Sequence, residues 1–409
     1  MESSMRATVI FSTVGFLVNF GVGSITPILP LYAMTFGVSI ALIGALISVS
    51  GLSRVVLDIP SGIVADRFGL KRFMMAGLLI VFASAMISAL AVSYWMLLMG
   101  LMVQGAGSAV FFTTSYIGIS RTAPISRRGK HLGLFISLQF LGTTSGPILG
   151  GVVGQTYGLS GPFFVYALLV LISILVIHFM IGKGSVQRKG GRMDAASEQV
   201  VRSIRDYTLM SVNMGLLATS VLRTGLVATI VPLFATRDLG LGPATLGAVL
   251  TLSAAFNFLS LLPAGSLSDR YGRRPFFFAS LFLGGVVAMI IPLAYDLATL
   301  MAVMSALGLC LGLSGPVGAY VTDVARTADL GGAMGLFRTM GDLGSFIGPI
   351  VLTLFLPQAS GPIGSTPFII AGFIVIGSSL LLLGARDPAR ERREKDVHRR
   401  AGETGGDGN

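Results

Sequence analysis

A chain of 409 residues with 53% hydrophobic and only 11% charged residues, at a mean hydropathy of +0.83, is too apolar for a soluble globular protein, in which about a quarter of residues are charged. Its apolar residues come in non-alternating runs of roughly 20, the length that carries a helix across about 30 Å of hydrocarbon, which excludes a barrel of alternating strands. The formal net charge of +11 does not point to nucleic acid, because the basic residues gather between the apolar runs and at the C-terminal end, as on one face of a membrane protein.

In chain order, the runs predict helix 1 over 8–33, helix 2 over 39–65, helix 3 over 73–92 and helix 4 over 95–119. A basic loop, RTAPISRRGKH, leads to helix 5 over 132–155 and helix 6 over 162–181. Residues 182–206, rich in Gly, Ser and Lys/Arg, cannot fill a packed core and read as a linker. Helices 7 to 12 follow over 207–235, 243–268, 275–295, 298–322, 333–356 and 366–385, and a charged tail closes the chain. The organisation expected is an N-terminal six-helix bundle (1–181), a cytoplasmic linker (182–206), a C-terminal six-helix bundle (207–385) and a cytoplasmic tail (386–409). The first apolar run is too long for the core of a cleavable leader.

An even number of helices puts both termini on one side. Of the 29 Lys and Arg residues, all but Arg54, Arg223, Arg237 and Arg338 fall in the N-terminus, the connections on that side and the tail. Both termini are therefore expected in the cytoplasm, in a multi-pass protein of the cell membrane. Cys310 is the only cysteine, which leaves no disulfide and no thiolate metal site within the chain. No metal cluster suggests itself from the three scattered His residues, and the absence of a GxxxxGK[ST] loop argues against an ATP-driven pump.

One stretch occurs twice. PSGIVADRFGLKR at Pro60–Arg72 returns 203 residues later as PAGSLSDRYGRR, so that Gly62, Asp66, Arg67, Gly69 and Lys71 align with Gly265, Asp269, Arg270, Gly272 and Arg274. Each copy reads as a tight turn between two transmembrane helices, with Gly for close backbone approach and cations to hold the turn on one side. PLYA (30–33) likewise returns as PLFA (232–235), and ALIGALISVSG (41–51) as ATLGAVLTLSA (244–254). Two six-helix halves in parallel orientation imply a pseudo-twofold axis along the membrane normal and a shared cavity near the midplane.

With these motifs the chain resembles the major facilitator superfamily, and within it the twelve-helix drug:proton antiporters. GIVADRFGLKR is similar to the family signature G-x-L-A-D-R-x-G-R-K, with Leu70 where Arg is usual. GTTSGPILGG (142–151) matches the antiporter signature GxxxGPxxGG at Gly142, Gly146, Pro147, Gly150 and Gly151, and Gly344, Gly348 and Pro349 repeat half of it on helix 11. VQGAGSA on helix 4 is similar to RxxQGxGxA, with Leu101 at the position of the arginine that the family ties to proton coupling. The resemblance implies an all-α transporter of two pseudo-symmetric six-helix bundles. It implies that Asp66, held by Arg67, caps the start of helix 11 in the outward-facing state, and that the helix-5 segment, packed on helix 8, controls leakage and the direction of transport. The same segments are also compatible with a plain topogenic turn and a structural kink.

Charges inside membrane helices are costly, from about 2.5 kcal/mol each. Arg54 and Asp58 on helix 2, and Arg338 and Asp342 on helix 11, are spaced four apart, so each pair shares a helix face. In the resembled fold these helices pack together, with Asp58 and Asp342 at similar depth. The four are expected to form a charge network in which one acid takes a proton, the alternative being salt bridges that never titrate. Arg223, mid-helix 7 with no acid nearby on its helix, either meets a substrate carboxylate or pairs with Asp58 or Asp342. Asn19, Phe20, Phe112, Tyr116, Gln139, Phe140, Asn257 and Tyr320 complete the candidate substrate site, though interhelical packing accounts for such residues equally.

The reading is a secondary active transporter working by alternating access: no enzyme, no cofactor, the proton as coupling ion, a small-molecule substrate, a lipid bilayer around it, no nucleic acid, and a monomer. Proton-coupled efflux of hydrophobic small molecules or drugs is expected. The alternatives are an importer or facilitator of an organic anion using Arg223, and a sensor or scaffold that does not transport.

Overall fold

The computed structural model describes residues 2–123, 128–180, 201–325, 330–356 and 362–387; all other residues, together with the surroundings of Gly62 and the side chains of Asp66 and Arg67, lie outside the described residues. Helices account for the described chain, with no strand among the described residues. In the first half, α1 spans Glu2–Ile25 and is extended by a short helix at Leu29–Met34, α2 spans Ile40–Phe68, α3 Leu70–Ala89, α4 Tyr94–Thr122, α5 Arg128–Tyr157 and α6 Gly161–Met180. In the second, α7 begins at Tyr207–Ser220, passes through a π-helical segment, Val221–Ile230, and ends as Val231–Arg237. The remaining helices are α8 (Pro243–Tyr271), α9 (Arg273–Ile290), α10 (Leu297–Gly312, continued by Val317–Val324), α11 (Leu330–Leu354) and α12 (Thr366–Leu381).

Among the described residues, eleven helices are long and apolar enough to cross a membrane. The twelfth, α11, has 25 residues but carries Arg338 and Asp342 among its glycines. Local chemistry sets several helix starts. Ser93 accepts a hydrogen bond from the Met96 amide ahead of α4, and Asp206 accepts from the Thr208 and Leu209 amides at 2.9 and 3.1 Å ahead of α7. Asp296 and Thr299 form a reciprocal capping box at α10. Residues 201–205, expected as linker, are helical up to that Asp206 cap.

The two hinges are smaller than expected. α2 runs through Pro60 to Phe68 and α8 through Pro263 to Tyr271, so each connection is one residue, Gly69 at φ 86° and Gly272 at φ 104°. Only glycine reaches that region without steric cost, which is why the repeat keeps a Gly there while the flanking residues stay helical.

Each half is built the same way. α1 packs on α5 as α7 packs on α11, α2 on α4 as α8 on α10, and α3 on α4 and α6 as α9 on α10 and α12. The halves join along two seams, α2 against α11 and α5 against α8. The buried core runs through both, with Phe11, Phe111, Phe163 and Tyr166 in one half and Phe277, Phe368 and Tyr320 in the other.

Candidate functional site

The helix-5 glycines mostly face α1. A Cβ on Gly142 would meet the Phe16 carbonyl, one on Gly146 the Phe20 carbonyl at 2.5 Å, and one on Gly150 would land on the Ser24 carbonyl. Only small residues let two backbones come so near. The same turn reaches α8 on its other side: Gly151 lies against Pro243 and Gly247, and the Pro147 carbonyl would meet a Cβ on Gly247 at 2.5 Å. Pro147 and Gly151 thus lie against α8, while Gly142, Gly146 and Gly150 pack on α1. The second half repeats the design. Gly344 and Gly348 pack on α7 at Leu217 and Val221, and the Pro349 carbonyl faces Gly44 of α2.

At this second seam the four membrane charges meet. The acid and base of each helix share a face, as their spacing requires, but they pair mainly across the halves. Arg54 Nε lies 2.7 Å from Asp342 Oδ1. Arg338 holds both carboxylate oxygens of Asp58, Nε at 2.6 Å from Oδ2 and Nη2 at 3.0 Å from Oδ1. Within α11 the Arg338–Asp342 separation is 4.0 Å. The reason is geometric: α2 and α11 pass in opposite chain directions, so the Arg54 level of α2 faces the Asp342 level of α11, and Asp58 faces Arg338. The two acids sit one helical turn apart in depth instead of level. All four side chains are largely sheltered, at 13–30% exposure. The Arg338 guanidinium also lies 5.5 Å from the centroid of the Tyr116 ring, which stands edge-on to Phe135.

Arg223 belongs to the π segment, in which the Thr229 hydroxyl donates to the Thr224 carbonyl at 2.7 Å, five residues back. Such insertions re-aim side chains and recur at functional sites. Arg223 Nη2 donates to the Leu311 carbonyl at 3.4 Å, and the guanidinium stands 5.8 Å from the centroid of the Phe140 ring in the other half. Asp58 and Asp342, its expected partners, are held by Arg338 and Arg54.

The uncharged candidates divide. Tyr116, Phe112, Gln139, Phe140 and Asn19 are partly exposed on the first half, and the buried Gln139 amide lies toward the Tyr116 hydroxyl. Asn19 Nδ2 donates to the Gly15 carbonyl, and its Oδ1 accepts from Thr143 at 3.3 Å. Phe20 stacks on Phe16 within α1. Asn257 is buried where α8 meets α10 at Gly308 and Gly312, its Oδ1 unpartnered. Tyr320 is fully buried, and its hydroxyl donates to the Arg386 carbonyl at 2.6 Å.

In the hinges, Lys71 Nζ donates to the His178 carbonyl at the end of α6, at 2.8 Å. Arg274, its repeat partner, donates to the Ala385 and Leu383 carbonyls beyond α12. Asp269 pairs with Arg273 at 2.5 Å, and Arg273 Nε donates to Asp323 at 3.1 Å. Arg270 lies beside Tyr271, and Gly265 has open space around it. Asp387, in the stretch expected as tail, accepts from the Arg273 and Arg274 amides at 3.2 and 3.0 Å and so caps α9.

The sequence model of the Major Facilitator Superfamily matches residues 11–223 and again 212–404, two copies that together cover nearly all of the chain. The chain belongs to the Major Facilitator Superfamily. Among relatives in this superfamily, an uncharacterized MFS-type transporter of Methanocaldococcus jannaschii is 24% identical over 82% of this chain and 87% of its own length. Multidrug resistance protein 2 of Bacillus subtilis is 22% identical over 88% and 90%. Among solved structures, a bacterial homolog of the human lysosomal transporter Spinster superposes with a TM-score of 0.73 at 16% identity, over 93% of this chain and 95% of that one. The chain is thus a multi-pass membrane transporter of MFS fold, and its work is to move a small molecule across a bilayer.

Proposed function

We propose that this transporter exports hydrophobic small molecules in exchange for protons, by alternating access, across a cell membrane with both termini in the cytoplasm. The observation that carries the reading is the crossed pairing of Arg54 with Asp342 and Arg338 with Asp58 at the seam between the halves. A proton taken up by either acid cancels its charge and leaves the opposing arginine without its partner, so protonation weakens a contact that ties one half to the other. Only a few kcal/mol of differential binding is needed to bias two conformations. Leu101 lies buried where the resembled family has its coupling arginine, which leaves these acids to carry the proton. The likeness to a multidrug resistance protein supports a drug-like cargo with a hydrophobic body.

The test is internal pH, read with a trapped dye in proteoliposomes of the purified protein, as lipophilic cations, neutral drugs and carboxylates are added in turn. Proton movement opposite to the cargo is expected, lost in Asp58→Asn or Asp342→Asn. Cargo crossing with no proton movement in the wild type would make the protein a facilitator and remove the coupling role of both acids.

A further inference from the structure

We infer that the cargo of this transporter carries a carboxylate or similar anion next to an aromatic ring, and that Arg223 with Phe140 forms its recognition site. The inference rests on the transport reading above and names the class of molecule that is moved.

Charge balance leads to it. Arg54, Asp58, Arg338 and Asp342 cancel one another in two ion pairs. Arg223 is the one further arginine well inside a membrane helix among the described residues, and no acidic side chain among them pairs with it. A guanidinium has five N–H donors, of which one is engaged, and that at 3.4 Å to a neutral carbonyl. A charge held this deep without a counterion is costly unless something supplies one. Arg223 keeps part of its surface accessible.

The surroundings say what else the ligand carries. The cation stands over the face of Phe140, which comes from the other half, so a planar ring entering beside the guanidinium finds an aromatic partner and its anion finds a fork of donors. Gln139, the preceding residue of α5, turns its buried amide toward the Tyr116 hydroxyl, a second polar group on the same helix. The π segment that displays Arg223 also places Thr224, whose hydroxyl donates to Ser345 on α11 at 3.3 Å. A lipophilic cation would meet like charge here, and a neutral hydrocarbon would leave the guanidinium unanswered. Because Arg223 and Phe140 belong to different halves, an anion bound between them touches both bodies that must move.

The experiment is equilibrium binding by calorimetry to the full-length protein in nanodiscs. The probes are aromatic carboxylates of one, two and three rings, each with its primary amide and its aminomethyl analogue. For the best ring size the carboxylate is expected to bind at least tenfold tighter than the amide and the amine. Arg223→Gln is expected to reduce that preference below threefold, and Arg223→Lys, which keeps the charge but loses the fork, to retain part of it. If amide or amine equals the carboxylate throughout the wild-type series, or none of the probes binds, the inference is overturned, whatever the variants do. It is equally overturned if a cooperatively melting Arg223→Gln protein keeps the preference. Carboxylate-selective binding without proton movement in the dye assay would sink the proton-exchange reading and leave this one standing.

Discussion

Arg338 on α11 grips both carboxylate oxygens of Asp58 on α2, 280 residues away in the chain and in the other half of the molecule. The acid one turn along from Arg338, Asp342, is 4.0 Å from it and is taken instead by Arg54. Two helices with the same Arg-x-x-x-Asp spacing, passing antiparallel, thus exchange partners.

That exchange predicts a specific double-mutant cycle. Removing one member of a sheltered ion pair strands the other and costs up to about 3–5 kcal/mol, whereas removing both costs less. Asp58→Asn and Arg338→Gln should each lower the melting temperature of the purified protein, and the double variant should recover part of the loss. A coupling of at least about 1 kcal/mol is expected. Strict additivity of the two single effects would show that the pair is not formed.

Glycine substitutions should separate the seams from the open positions. Gly150→Ala drives a methyl into the Ser24 backbone, and Gly146→Ala meets the Phe20 carbonyl at 2.5 Å, where neither neighbour can swing aside. Overpacking of this kind costs about 1–3 kcal/mol or more. Gly133→Ala, with nothing within 4 Å, should be neutral or mildly stabilising, since it removes a glycine from within a helix. Thermal melts of the three variants decide the matter, and equal stability across them would refute the α1–α5 contact.

Asp387 supports the second hinge through the first two amides of α9. Asp387→Ala should cost about 0.5–2 kcal/mol, the usual effect of losing a helix cap, while Asp387→Asn should keep most of it. Hydrogen exchange of the Arg273 and Arg274 amides is the direct measurement. Unchanged protection in Asp387→Ala would show that the cap contributes nothing.

A pH effect is expected outside the membrane. At the start of α10, hydrogen bonds from the Thr299 side chain and backbone hold the Asp296 carboxyl below its ordinary range. A carboxylate with a depressed folded-state pKa contributes stability at neutral pH that is lost as the pH falls through that pKa. The difference in melting temperature between wild type and Asp296→Asn should therefore shrink on acidification from pH 6 to pH 3. A difference that stays constant would mean that the capping box does not depend on the carboxylate.

The amino-acid sequence by itself determined the helical class, the number and approximate place of the membrane helices, and the twofold repeat. Apolar length and Lys/Arg placement are one-dimensional signals, and solvation in a bilayer leaves a chain few other ways to satisfy its backbone. The charged candidates were also legible, because Arg54, Asp58, Arg223, Arg338 and Asp342 interrupt runs where a charge is expensive. Only the tertiary structure decided who pairs with whom. The spacing of Arg338 and Asp342 allows an intrahelical bridge, but a closer partner comes from a helix whose position depends on both halves closing. The α1-facing glycines, the hydrogen bond of Tyr320 to the Arg386 carbonyl and the capping role of Asp387 follow for the same reason. Each depends on a neighbour distant in the chain, and periodicity along one helix carries no information about which helix will lie against it.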